Sequence, residues 1–139
     1  MKPVDFGMTS NHLFPSMRHA AAITLAGFIV ITAIGYSSSF KSPDIDYAWM
    51  AFYILVSVPV QEILFRGVLQ KRLYKFGRRK AIITASILYS AIHFRNPLLM
   101  ALTLAAGLLW GYSFSRHATL AGPAASHAVL GLYLFLFVL

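Results

Sequence analysis

A chain of 139 residues that is 58% hydrophobic and 12% charged, with a mean hydropathy of +0.68, is too apolar for a soluble domain and reads as one all-α membrane domain. Its net charge of +8 does not describe a nucleic-acid binder: six of the twelve Lys and Arg residues lie between Lys71 and Lys80, joining two apolar runs, where topology and anionic headgroups account for them. The absence of cysteine excludes a disulfide framework, a thiol nucleophile and a cysteine metal site, and leaves the redox compartment open.

The apolar runs predict a polytopic bundle of five transmembrane helices, at about 20 residues per span. The first covers His19 to Tyr36, after a polar start with Pro3, Pro15 and Arg18. A secretory signal is the alternative for this helix, although the apolar stretch is long for one and no clean A-x-A site follows. Ser37 to Asp46, with three serines and Pro43, is a loop, so 1–46 form an N-terminal segment and 47–139 a four-helix core. The second helix covers Tyr47 to Gln70 and carries Pro59, Gln61, Glu62 and Arg66. The third, Lys80 to Phe94, is short for a span and stops before Asn96-Pro97, since the residue before a proline disfavours the helical region. The fourth, Pro97 to Phe114, opens on a proline whose missing N–H costs nothing in a first turn. The last runs from Thr119 to Leu139.

The positive-inside rule orients these helices. With the N-terminus cytoplasmic, that side holds Lys2, Arg18, Arg116 and the six basic residues of the Lys71–Lys80 loop, against Lys41 and Arg95 on the far side. The expected location is the inner (plasma) membrane of a prokaryote.

Glu62 is the only glutamate, and the three aspartates, Asp5, Asp44 and Asp46, sit in polar flanks. A carboxylate inside a span is costly and is by default a functional hypothesis. Glu62 lies nine residues before Lys71 and His127 nine after Ala118, each roughly 13 Å into its helix. His93 lies thirteen residues after Lys80, roughly 20 Å, within boundary error of the same layer. Glu62 and Arg66 are spaced i, i+4 and share a helix face, as do Tyr89 and His93, while Gln61 is about 100° around from Glu62, so that the two line adjacent parts of one cavity. Each residue alone also has a structural reading: the ion pair ties helices together, and a buried histidine packs. Three ionisable groups at one depth favour a site. Gly107 and Gly111 give a small-x-x-x-small surface for close helix packing or dimerisation.

Gln61-Glu62-Ile63-Leu64-Phe65-Arg66-Gly67 resembles the Glu-Glu-x-x-x-Arg signature of the CPBP family, the CAAX-prenyl and bacteriocin-processing intramembrane proteases. Tyr89-x-x-x-His93 resembles its Phe-x-x-x-His motif, and His127 falls where its His-x-x-x-Asn motif begins. The resemblance covers about half the chain, from Val58 to Gly131. It implies an endopeptidase in which a glutamate activates water against a peptide carbonyl, histidines assist, and the pocket includes Phe65, Tyr89 and Gly131. A carboxylate deprived of water is a usable general base, and Arg66 would hold the pocket. Zinc on two histidines and Glu62 is a rival, but no His-Glu-x-x-His occurs and the resemblance favours a metal-free reaction.

Two positions depart from the family pattern. Gln61, an amide that takes no proton at neutral pH, stands at the first glutamate, and Gly131 stands at the asparagine. Three explanations follow: Glu62 is the base of a divergent branch, Gln61 is an engineered knock-out, or the protein is a pseudoprotease. The expected function is cleavage of a membrane-associated protein or peptide, such as a C-terminal sorting tail, in a cavity among the last four helices. A CAAX substrate fits less well, because prenylation is eukaryotic and the compact chain reads as prokaryotic. The alternative is a catalytically silent scaffold or immunity factor that binds a partner peptide in the same cavity. A proton-coupled transport subunit fits poorly, since five spans show no inverted repeat.

Overall fold

The computed structural model describes residues 6–139, so Lys2, Pro3 and Asp5, used above, lie outside the described residues. The described residues form five helices: α1 Leu13–Ser38, α2 Tyr47–Phe76, α3 Arg78–Ala91, α4 Pro97–His117 and α5 Ala121–Phe137. Among the described residues there is no strand, and α1, α2 and α4 are long and apolar enough to cross a membrane. The 17 residues of α5 and the 14 of α3 are shorter.

Local chemistry explains most boundaries. Helix α1 starts before the expected His19, with Pro15 in its first turn, where proline needs no N–H partner. Asp46 caps α2 by accepting from the N–H groups of Ala48 and Trp49 at 2.9 and 3.0 Å. Helix α2 passes the expected end at Gln70 because Lys71, Arg72 and Lys75 are compatible with helix, and it stops only at Gly77, where φ is +104°. Asn96 caps α4 by accepting from Leu99 N–H at 3.0 Å, with Pro97 at the first position.

Helix α2 departs from regular α-helix on both sides of the turn that holds Pro59. The helix widens to π-type hydrogen bonding over Tyr53–Ser57 and again over Ile63–Gln70, with an α-helical turn, Val58–Glu62, between them. The Val58 N–H reaches back to the Tyr53 carbonyl, one residue further than in an α-helix. These wide turns flank Gln61 and Glu62.

Helix α1 packs mainly on α5 and also on α4, while α3 lies along α4 and α2 touches α3, α4 and α5. Small residues set the close approaches. A Cβ on Gly122 would collide with the Ser16 backbone of α1, and one on Gly107 would meet Ser86 of α3 at 3.2 Å. The Gly107/Gly111 surface therefore serves packing within the chain. The apolar core gathers Ile31, Tyr89, Trp110, Leu130 and Leu134. A cavity of about 470 Å³ opens beside it, and α1 contributes Ile23, Gly27 and Ile31 to its wall. The expectation of a cavity among the last four helices is thus corrected: the N-terminal helix closes one side.

Candidate active site

Glu62 is fully buried on α2, and its two oxygens have different neighbours. Oε1 accepts from His127 Nδ1 at 2.9 Å, and Oε2 lies 3.5 Å from Arg66 Nε in the ion pair expected from their i, i+4 spacing. Arg66 is held in turn by α4, donating from Nη2 to the Gly107 carbonyl at 3.3 Å. One turn on, Gln70 Nε2 donates to the Gly111 carbonyl at 2.8 Å. Two side chains spaced i, i+4 on α2 therefore meet two glycine carbonyls spaced i, i+4 on α4, where the missing side chains leave the backbone approachable. The Arg66 guanidinium also lies over the Tyr89 ring, 4.7 Å from its centroid.

The partners of His127 fix its orientation. Its ring stacks on Trp110 at 4.7 Å, and Trp110 Nε1 donates to Ser126 Oγ at 3.0 Å. A carboxylate only accepts, so Nδ1 carries a proton. In the neutral ring Nε2 then accepts from the Tyr89 hydroxyl, 3.0 Å away. Glu62, His127 and Tyr89 thus form one hydrogen-bonded chain across α2, α5 and α3, and Phe65 packs its edge against Tyr89 with ring centroids 5.2 Å apart.

Gln61 and His93 stand elsewhere. Both line the large cavity with Tyr89 and His127, whereas Glu62 is not part of its wall. The expectation that Gln61 and Glu62 line adjacent parts of one cavity is therefore corrected: Glu62 lies on the wall of a second, smaller cavity. Its Oε1 is engaged by His127, and its side chain points into the helix interface. Gln61 Nε2 donates to Ser57 Oγ at 2.9 Å, leaving a buried Oε1 without a hydrogen-bond partner among the described residues. His93 sits in the turn after α3, not on the helix as expected, and its Nδ1 contacts the Tyr89 carbonyl at 3.1 Å. Among the described residues, no three His, Asp or Glu side chains gather in a metal-binding group.

Tyr53 escaped the sequence reading. Its hydroxyl occupies the space that a Cβ on Gly131 would take, and its ring lines the cavity. The only signal was indirect: a glycine where a side chain was expected leaves a gap that another residue must fill, and Tyr53 lies on the helix that carries Gln61. Ser57, which holds the Gln61 amide, was also missed.

Searches of curated proteins and of solved structures match nothing. A scan of family models matches residues 43–133 to the type II CAAX prenyl endopeptidase Rce1-like family. The matched stretch takes in α2, α3 and α4 and reaches Tyr133 of α5, so it spans every polar residue of the site. With three helices long and apolar enough to cross a membrane and a buried Glu, Arg and His cluster within the matched stretch, the chain belongs to the Rce1-like, or CPBP, family, whose framework is that of a CAAX-type intramembrane endopeptidase.

Proposed function

We propose that this protein hydrolyses a peptide bond of a membrane-associated protein or peptide, with His93 as the base that activates water. The observation that carries this reading is the contact between His93 Nδ1 and the Tyr89 carbonyl at 3.1 Å. A carbonyl only accepts, so the neutral ring is protonated at Nδ1 and keeps a lone pair at Nε2. Gln61 shares the cavity wall, and a turn of its amide would offer Oε1, buried and unpartnered as it stands, as an acceptor for one hydrogen of that water. Water gives a proton to His93 Nε2 as its oxygen adds to the carbonyl carbon. The oxyanion takes a hydrogen bond from the Tyr53 hydroxyl, which fills the place of the family's asparagine over Gly131. The His93 imidazolium returns the proton to the leaving nitrogen, the C–N bond breaks, and an acid and an amine are released. Glu62 and Arg66 keep His127 and Tyr89 in place.

The cavity volume of about 470 Å³ and its largely apolar wall suit an extended apolar segment, such as the tail of a membrane protein. The distribution of basic residues supports an N-terminus and a Lys71–Lys80 loop on the cytoplasmic side of a prokaryotic plasma membrane. Side chains carry every step, so hydrolysis is expected to survive a chelator.

Gln61 favours a second reading. An amide at the family's first glutamate, tied to Ser57, binds a peptide without taking a proton, as a silent scaffold or immunity factor would. Terminal-peptide mass spectrometry separates the two, using membranes of host cells that lack the gene and carry the chain unchanged, His93→Ala or Gln61→Glu. New peptide ends with the unchanged chain that vanish with His93→Ala support the histidine base. Ends produced only by Gln61→Glu would identify a disabled protease, and none in any strain would leave the scaffold.

A further inference from the structure

A second cavity, of about 290 Å³, shares no wall residue with the first. Residues 7–9, the Pro59, Glu62 and Ile63 part of α2, and the start of α5 with Ala124 enclose it. Residues 7–9 are pinned across it, because the Gly7 and Thr9 carbonyls accept from Leu120 N–H and Thr119 Oγ1 at 2.9 and 2.7 Å. Among the described residues, Glu62 is the only ionisable group on this wall. Its Oε2 is buried and has no hydrogen-bond partner among the described residues, although Arg66 Nε lies 3.5 Å away. Tyr89 and His127, at the other end of the hydrogen-bonded chain, line the large cavity. Two separate cavities are thus joined by contacts of 2.9 and 3.0 Å through three titratable side chains.

We propose that the second cavity admits water to Glu62, and that Glu62, His127 and Tyr89 relay protons between that water and the large cavity. The proton balance closes. A proton arriving at the Tyr89 oxygen from the large cavity releases the phenolic proton to His127 Nε2. The Nδ1 proton then passes to Glu62 Oε1, and the carboxyl group gives one proton to water in the second cavity. Rotation of the phenol and reverse tautomerisation of the imidazole restore the start. Each hydrolysis leaves an acid and an amine in the apolar cavity, and where the amine product departs neutral, the relay would carry the proton of the remaining acid to water. The purpose of the relay rests on the endopeptidase reading; its existence does not.

The test uses the full chain in phosphatidylcholine nanodiscs, with ¹⁵N-histidine and with ¹³C-glutamate, which labels Glu62 alone. After transfer to D2O, exchange of the His127 Nδ1 proton is followed by NMR. Ala124→Leu, which fills the second cavity, is expected to slow that exchange by about tenfold. Ala124→Val gives an intermediate rate, and Tyr89→Phe, which cuts the chain on the other side, changes it by less than about twofold. An unchanged ¹³C-Glu62 carboxylate band checks that each variant keeps the Glu62 environment. Equal exchange in Ala124→Leu and the unchanged chain would overturn the proposal, as would Tyr89→Phe slowing exchange as much as Ala124→Leu does. If the unchanged chain hydrolyses nothing yet shows the expected exchange pattern, the endopeptidase reading fails and the relay stands; hydrolysis with exchange indifferent to Ala124→Leu sinks the relay alone.

Discussion

Gln61 and Glu62 are adjacent in sequence, and about 100° of helix rotation puts them in two unlike regions. Gln61 stands on the wall of a large cavity with His93, one amide oxygen unpartnered. Glu62 is fully buried beside the second, smaller cavity, its charge met by Arg66 and its Oε1 by His127. The carboxylate is thus kept where three helices depend on it, and the neutral amide where a substrate would lie. A framework can remain intact when Gln61 changes, because its amide bonds to Ser57 and Glu62 to His127 and Arg66, with no hydrogen bond between the two.

Glu62→Ala should break the comparison most severely. It leaves Arg66 and His127 buried without their anion, a loss of about 3–5 kcal/mol in typical buried pairs. Thermal unfolding in nanodiscs should fall steeply, together with hydrolysis. Glu62→Gln keeps an acceptor for His127 and should cost less, about 1–3 kcal/mol. Wild-type melting combined with lost hydrolysis in Glu62→Ala would instead move Glu62 to the reaction side.

On the cavity side the expected effects are on rate and not on melting. His93→Ala should lower turnover by about 10²–10⁴-fold, the usual range for a general base, with little change in stability because His93 is half-buried in a turn. Gln61→Glu places a carboxylate on the same wall and should raise turnover by about 10²-fold. An unaffected rate in His93→Ala would remove the histidine base. Tyr53→Phe should lower kcat by about 10²-fold, as for a lost oxyanion donor. Since the Tyr53 hydroxyl occupies the space above Gly131, Tyr53→Ala with Gly131→Asn should recover part of the turnover that Tyr53→Ala alone loses. No recovery would mean that the two positions do not substitute for each other.

Much of the framework was legible because it is local or countable. The Glu62–Arg66 pair follows from i, i+4 spacing, and the shared depth of Glu62 and His127 follows from rise per residue. The facing of Gln61 and Glu62 was not legible, because it depends on how five helices assemble around α2, and the wide turns on either side of Val58–Glu62 change its angular phase. The part played by α1 was hidden for another reason: Ile23, Gly27 and Ile31 are apolar residues in an apolar helix, so nothing marks the face that lines the cavity. His93 was placed on a helix because Asn96-Pro97 gave the stop signal, while the helix had already ended at Ala91.

The smallest expected effect tests whether the framework side is coupled to the cavity at all. An alanine Cβ at position 107 would lie 3.2 Å from Ser86 Cβ and 3.3 Å from Tyr89 Cδ1, close enough to push α3 away by a few tenths of an ångström. The higher helix propensity of alanine, worth about 1 kcal/mol over glycine, opposes the packing cost, so net stability should change by less than about 1 kcal/mol. Tyr89 nevertheless bears on both regions, since its hydroxyl meets His127 and its backbone carbonyl holds His93. A shift of Tyr89 should therefore lower turnover by about threefold, well short of the loss that follows a full 1 Å displacement. Gly111→Ala is the matched control, because its Cβ would meet Gln70 Oε1 at 3.0 Å and Ile82 Cγ2 at 3.2 Å, away from Tyr89. It should share the stability effect and leave turnover unchanged. Equal turnover in the two variants would show that movement of α3 does not reach His93, and the two sides of α2 would then be energetically as well as spatially separate.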